Sequence, residues 1–170
     1  MDAVEVWNGA WTLDDDATVG KWDELLRAGE RIVATGGSDA HRAPDVIGRP
    51  QTVVRANQLS DPAIINGIAA GRVYLTENQQ VSLVFKVSDQ GRTAEIGDTL
   101  RADKPKAKLR VKGAPGTIAT LKTDRGAVAT LNLEDDSTFK VNVAGARWVR
   151  AEVRRPDGAM VALTNPIWLR

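Results

Sequence analysis

From Val81 onward the chain consists of short segments with an alternating apolar pattern, separated by turn signals at intervals of about ten residues. The first has Val81, Leu83, Phe85 and Val87 at every second position. Similar segments cover residues 107–111, 117–121, 127–131, 138–143 and 148–153. A period of two is typical of strands with one buried face, and no stretch here has a useful helical period. The pattern predicts an antiparallel β-sandwich.

The first part of the chain alternates strand and helix signals instead. Strands are predicted at residues 3–7, 31–35, 51–54 and 72–76. One helix follows the acidic run at residues 14–16 and ends at Gly29, and a second opens at Ser60 with Pro62 in its first turn and ends at Gly71. The order β-α-β-β-α-β favours a parallel α/β arrangement.

Charge changes at the same place as the pattern. Residues 1–78 carry 7 basic and 12 acidic side chains, a net charge of −5, whereas residues 79–170 carry 16 and 10, a net charge of +6. We therefore expect two domains, 1–78 and 79–170. Opposite charges would also let the two halves dock on each other.

Composition excludes several classes of function. The sequence has no cysteine, which excludes disulfides and thiolate metal sites. Only 5% of residues are aromatic and no basic run is interleaved with aromatics, so no nucleic-acid partner is expected. No run of 18 apolar residues occurs, and no membrane partner is expected.

The α/β part is too small to close on itself. Four strands and two helices leave exposed edges, and a complete (β/α) barrel takes roughly 200 residues or more. Residues 1–78 are therefore interpreted as the last part of a barrel, in a chain that starts inside a larger fold. Its exposed barrel edges suggest that oligomers could form.

The stretch GGSDAH, residues 36–41, contains the only histidine of the chain. Asp39 and His41 are two residues apart and project to the same side of an extended segment, beyond the C-terminal end of a predicted strand. Carboxylate oxygen and imidazole nitrogen are ligands for zinc, manganese or iron. The alternative is that Asp39 caps a turn and His41 is an ordinary surface residue.

Four stretches in order carry a resemblance to a known family. They are AVEVWNG, GGSDAH, IGRPQTVV and AAGRVYLT, and the tail WVRAEVRRPDG followed by LTNPIWL also fits. Together they resemble the C-terminal part of a PHP (polymerase and histidinol phosphatase) family metallohydrolase, in the carbaryl-hydrolase-like branch. The resemblance covers essentially the whole chain.

This resemblance implies a fold class of α/β plus all-β: the C-terminal segment of a PHP-type (β/α) barrel, then an antiparallel β-sandwich accessory domain. Asp39 and His41 match two metal ligands of the family, in which a metal-activated water hydrolyses an ester, amide or phosphoester. Glu5 and Asn8 match a strand-end stretch with a supporting or pocket role, although a plain strand end closed by an Asn-Gly turn is an equal alternative. Arg42 is a candidate for binding an anionic substrate, against a solvated loop role.

The chain departs from the family pattern because it has no second histidine. Two protein ligands fall short of the three that a catalytic zinc usually has. We therefore expect a fragment of a hydrolase that is inactive alone and holds little or no metal, with Zn, Mn or Fe and a small-molecule substrate bound by the full-length parent. The parent would lie in the bacterial cytoplasm or be exported.

Two competing interpretations stay open. In one, the β-sandwich is a non-catalytic binding or interaction module and residues 1–78 are its scaffold. In the other, several chains assemble and share sites. Of the remaining side chains, Trp7 and Trp11 are assigned to core packing before substrate contact. Four arginines are assigned to the solvent face and edge of a strand: Arg147, Arg150, Arg154 and Arg155.

Overall fold

The computed structural model describes residues 2–170, which form two helices and fourteen strands. The helices are α1 Leu13–Ala28 and α2 Asp61–Ala69. The strands up to residue 100 are β1 Ala3–Asn8, β2 Val33–Gly37, β3 Gln51–Val54, β4 Val73–Thr76, β5 Ser82–Asp89, β6 Arg92–Glu95 and β7 Thr99–Leu100. The later strands are β8 Lys106–Lys112, β9 Ile118–Thr123, β10 Gly126–Asn132, β11 Asp136–Asn142, β12 Trp148–Arg154, β13 Met160–Thr164 and β14 Ile167–Leu169.

Two stacked sheets form a β-sandwich-like body. The small sheet is antiparallel, in the order β11-β8-β5-β6. The large sheet has the order β10-β9-β12-β13-β4-β3, with β14 beside β12 and β7 beside β14. Their facing surfaces bury one apolar core, to which Phe85, Leu109, Leu121, Val153 and Ile167 belong. Burial of this surface is the main term that holds the two sheets together.

The prediction of a parallel α/β part that forms the end of a PHP-type (β/α) barrel is wrong. The chain is mostly β, with 44% in strands and 15% in helices, and residues 2–170 contain no closed barrel. β3 and β4 pair antiparallel, and β4 also pairs antiparallel with β13. The large sheet therefore contains strands from both sides of residue 78. The only parallel pair from residues 2–78 is β1 with β2, a separate two-stranded sheet. An alternating order of strand and helix signals does not specify which strands pair, and here the partner of β4 lies far away in the sequence.

A third layer covers the other face of the large sheet. There α1 and the β1–β2 pair bury a second apolar core, which includes Val6, Trp22, Leu26, Trp148 and Leu163. Side chains of β12 consequently alternate between the two cores, and the strand is buried on both faces. The large sheet is therefore the central layer of the molecule.

The helix ends follow the expected signals. The Asp15 carboxylate accepts a hydrogen bond of 2.7 Å from the backbone N–H of Thr12, at the start of α1. Gly29 follows the last turn with φ of 96°, a left-handed conformation that glycine adopts without steric cost. Ser60 precedes α2, which has Pro62 in its first turn.

One arginine expected on the solvent face is completely buried. Arg150 has no exposed surface, and its side chain bonds to the Asp23 and Glu152 carboxylates between α1 and the large sheet. The pattern misses this because a strand covered on both faces no longer alternates with solvent.

Polar side chains join the parallel pair to the large sheet. Asn165 accepts a hydrogen bond from the Ala34 N–H (2.8 Å) and donates to the Ala34 carbonyl (2.9 Å), as a neighbouring strand would. Further along β2, the Gly36 N–H donates to the Thr52 hydroxyl (3.0 Å), which donates back to the Gly36 carbonyl. These bonds fix the C-terminal end of β2, from which the GGSDAH loop leaves.

Candidate functional site

The parallel pairing of β1 and β2 brings two sets of predicted site residues to one edge. Asn8 at the end of β1 is paired with Gly37 at the end of β2, and Glu5 is paired with Thr35. The Gly9 N–H donates to the Gly37 carbonyl at 2.8 Å, which continues the pairing into the loops. Both strands thus end side by side, as the C-terminal ends of parallel strands must.

Glu5 and Asn8 form one unit at this edge. The Asn8 side-chain amide donates a hydrogen bond of 3.1 Å to the Glu5 carboxylate. That carboxylate lies across Gly37, since a Cβ placed there would come within 3.3 Å of Glu5 Oε1. The backbone N–H of Asn8 donates to Asp15 of α1 at 3.0 Å, which anchors the strand end to the helix.

Asp39 and His41 also lie together, at the start of the loop that follows β2. The distance from His41 Nε2 to Asp39 Oδ1 is 3.6 Å, and both side chains are more than half exposed. Asp39 has φ of 48°, a left-handed conformation that aspartate tolerates better than most residues. This turn places the carboxylate beside the imidazole.

The imidazole is oriented by a backbone group. His41 Nδ1 lies 2.5 Å from the carbonyl oxygen of Asp39. Because a carbonyl only accepts, Nδ1 is the donor in this contact, and Nε2 is the ring nitrogen that faces the Asp39 carboxylate. Metal-ligating histidines show the same arrangement, in which the second ring nitrogen donates to a carbonyl or carboxylate.

The separation of the two donor atoms fits a shared metal ion. Two ligands of one tetrahedral zinc, each about 2.0–2.2 Å from the metal, lie about 3.3–3.6 Å apart. Oδ1 of Asp39 and Nε2 of His41 match that spacing within a few tenths of an ångström. However, residues 2–170 contain no group of three or more His, Cys, Asp and Glu side chains arranged to hold a metal. The pair therefore suits two coordination positions and leaves the others open.

Asp45, which the sequence does not single out, stabilises this loop. One carboxylate oxygen of Asp45 accepts hydrogen bonds from the backbone N–H groups of His41 and Arg42, both at 2.9 Å. Aspartate side chains commonly accept hydrogen bonds from backbone N–H groups three or four residues earlier, so an Asp four residues after His41 was the available signal.

Arg42 takes part in the site only through its backbone. Its side chain is exposed and makes no hydrogen bond or ion pair with any other residue in the range 2–170. It does not line the groove described next, and neither do Glu5 and His41. The role of Arg42 as a substrate ligand stays a prediction.

A groove of about 640 Å³ runs beside the two strand ends. Its lining includes Asn8 and Asp39 beside the strand ends, together with Glu77, Arg155 and Met160 from later parts of the chain. The Glu77 carboxylate accepts a hydrogen bond from Arg155. This volume lies within the range typical of small-molecule sites.

Aromatic and cationic side chains complete the groove. Trp7 is 3% exposed and packs edge-on against Trp11, with ring centroids 5.3 Å apart, so Trp7 contributes mainly to the core. Trp11 is partly exposed and also carries the Arg154 guanidinium on its ring, 5.1 Å from the centroid. Arg49 lines the groove and has no hydrogen bond or ion pair within the described part of the chain.

In residues 2–170, neither helix is long and apolar enough to cross a membrane. Comparisons with protein-family models, with curated proteins and with solved structures gave no match to this chain.

Proposed function

We propose that Asp39 and His41 supply two protein ligands to a divalent metal ion in a hydrolytic site, and that further ligands come from protein outside residues 2–170. The observation that supports this most directly is the 3.6 Å approach of His41 Nε2 to Asp39 Oδ1. Nδ1 donates to the Asp39 carbonyl, so Nε2 is the ring nitrogen that would bind the metal. The resemblance of GGSDAH and its companion stretches to PHP metallohydrolases is consistent with the proposal.

The bound metal would supply an activated water and polarise an ester, amide or phosphoester. Around it, this chain contributes the walls of the groove. Trp11 offers partly exposed apolar surface to a small-molecule substrate, and Arg49 offers a positive charge that no carboxylate in residues 2–170 neutralises. Asn8, held by Glu5, offers an amide at the groove wall.

Ligand number limits what the chain does alone. A catalytic zinc usually has about three protein ligands, and this loop provides two. We expect weak metal binding by residues 1–170 and hydrolysis only when the missing ligands are present, as in a longer form of the protein.

His41 gives a direct test because it is the only histidine. The imidazole nitrogens of the chain therefore give a single pair of NMR resonances. Titration with Zn²⁺ should shift the Nε2 resonance saturably and should leave Nδ1 protonated. Asp39→Ala should weaken this binding, whereas Glu30→Ala, an exposed carboxylate elsewhere, should not.

The second arm compares metal content and hydrolysis of an aryl ester and a phosphoester between this chain and a longer form that carries the upstream coding sequence. Stoichiometric, tight metal binding by the chain alone would contradict the proposal that its metal site is incomplete. A longer form that neither binds metal nor hydrolyses these substrates would contradict the proposed hydrolase activity. That result would favour a non-catalytic β-sandwich module.

A further inference from the structure

The outer face of the small sheet is unusually rich in lysine. Along β8, Ala107, Leu109 and Val111 point into the sandwich core, and the alternate positions Lys106 and Lys108 are exposed. Lys140 on β11 lies directly opposite Lys108. Lys104 precedes β8 and is also exposed. We call these four exposed side chains, Lys104, Lys106, Lys108 and Lys140, the lysine face.

The register places like charges next to each other. Lys108 is the direct partner of Lys140 on one side and of Lys86 on the other. Directly opposed like charges on neighbouring strands destabilise a sheet. Lys86 is compensated by Glu95, at 2.6 Å. None of the four residues of the lysine face forms an ion pair within residues 2–170.

Neighbouring cations on the same sheet are compensated instead. Arg110 donates to Asp136 through Nε at 2.8 Å, and Lys112 lies 3.6 Å from the same carboxylate. One part of the sheet face is thus neutralised by its own acids and the adjacent part is not. Fold stability does not explain this difference, since the uncompensated lysines oppose it.

The lysine face is concave. A groove of about 500 Å³ is lined by its four lysines and by residues 88–91, which comprise the end of β5 and the turn to β6. The one acid in this lining, Asp89, is 6% exposed and is already occupied. Its carboxylate accepts a hydrogen bond from the Asp103 N–H at 2.8 Å. The groove therefore presents mainly positive charge to a ligand.

We propose that the lysine face binds a flexible linear chain of phosphate groups, of the inorganic polyphosphate type. Exposed side chains on alternate residues of a strand are spaced by about 6.8 Å, and those on adjacent strands by about 5 Å, which gives a closely spaced row of point charges. Lysine binds phosphate as a point charge and needs no fixed geometry.

Other anionic partners fit less well. Single-stranded nucleic acid is held through stacking on aromatic side chains. The aromatic residues of this sheet, Phe85 and Phe139, pack on the sandwich core. A planar lipid surface would not enter a groove bounded by the end of β5 and its following turn, residues 88–91.

The test measures binding of sodium polyphosphate to the folded chain by calorimetry across a series of salt concentrations. Lys108→Gln with Lys140→Gln should weaken binding by about tenfold or more at low salt and lower the salt slope by roughly one to two. Lys21→Gln with Arg27→Gln removes the same charge from α1, on the opposite side of the large sheet, and should leave binding unchanged. Thermal unfolding reports folding, and the Lys108/Lys140 variant should be at least as stable as the parent because opposed charges are removed.

Equal losses in the two double variants would overturn the proposal, because binding would then reflect net charge alone. No binding of polyphosphate at low salt would also overturn it. Homopolymeric single-stranded DNA and vesicles with anionic lipid serve as alternative ligands at equal phosphate concentration. Tighter binding to either of these ligands than to polyphosphate would overturn the proposal and identify that ligand class as the partner of the lysine face.

Discussion

Arg150 of β12 donates two hydrogen bonds to a single carboxylate oxygen of Asp23 in α1, through Nε at 2.8 Å and Nη2 at 2.6 Å. Nη2 also donates to Glu152 at 2.6 Å, and the guanidinium lies 4.9 Å from the Trp22 ring centroid. Nη1 has no partner among the described residues. These charges join the helix to the central sheet inside an apolar layer, where an unpaired charge is expensive.

Arg150→Ala should therefore lower the free energy of unfolding by about 3–5 kcal/mol, since it leaves the Asp23 and Glu152 carboxylates buried without their main partner. Chemical denaturation measures this loss. Arg110→Ala removes an arginine from an exposed pair with Asp136 and should have a far smaller effect. Similar losses in the two variants would contradict a special role for the buried cluster.

Glu152 should make the free energy of unfolding decrease in acid. Burial alone would raise the pKa of this carboxyl, but the charges of Arg150, Lys122 and Arg154 outweigh it and lower the pKa from 4.5 to about 2. A depressed pKa stabilises the folded state above pH 4.5, and this contribution, of about 3 kcal/mol, is lost as the pH falls from 4.5 toward 2.

Denaturation curves between pH 7 and pH 2 measure this effect. Glu152→Gln should be less stable than the parent at pH 7 and should lose less stability on acidification. Asp136→Asn changes an exposed carboxylate whose pKa is also lowered. This variant should still lose most of the stability that the parent loses on acidification. An unchanged pH dependence in Glu152→Gln would rule out Glu152 as its source.

Asn165 links layers that the backbone leaves unpaired. Its side chain bonds to both backbone groups of Ala34 and donates to the Val73 carbonyl at 3.2 Å, and all these groups are buried. Asn165→Ala should lower the free energy of unfolding by about 2–4 kcal/mol, because buried polar groups lose their partners.

Hydrogen exchange locates the effect, and the Ala34 amide should lose protection most. Asn66→Ala, at an exposed position of α2, should be neutral or slightly stabilising since alanine favours helix. Uniform loss of protection across β12 and β13 would indicate that Asn165 acts on the whole sheet rather than at this junction.

Local structure could be predicted from the sequence to a large extent. Gly29 ends α1 and Ser60 precedes α2 as expected, and β3 occupies the predicted residues. Strand partners could not be predicted, because β4 is buried whether it pairs within an α/β unit or with the distant β13. The wrong barrel prediction follows from that ambiguity.

In the candidate site, contacts between residues close in sequence could be predicted. The D-x-H spacing of Asp39 and His41 indicates a close pair, and the structure places their side chains 3.6 Å apart. Asp45 acts by folding the loop back, and Arg155 and Met160 reach the groove from distant strands or turns. No local pattern reports such contacts.

Gly36 fixes how closely the candidate metal loop approaches β1. A Cβ at this position would lie 2.8 Å from the carbonyl oxygen of Trp7 and 3.2 Å from its Cβ, so the strands would have to separate. Gly36→Ala should destabilise the fold by about 1–3 kcal/mol and weaken Zn²⁺ binding at His41 by shifting the loop.

Gly20→Ala in α1 is the matched control, because nothing lies within 4 Å of its Cβ and the change should stabilise the helix by about 0.5–1 kcal/mol. Denaturation of both variants, with the His41 nitrogen resonances as a local readout, checks the prediction. A Gly36→Ala protein as stable as the parent would show that β1 and β2 tolerate a wider separation, and the close packing would then have no role in positioning Asp39 and His41.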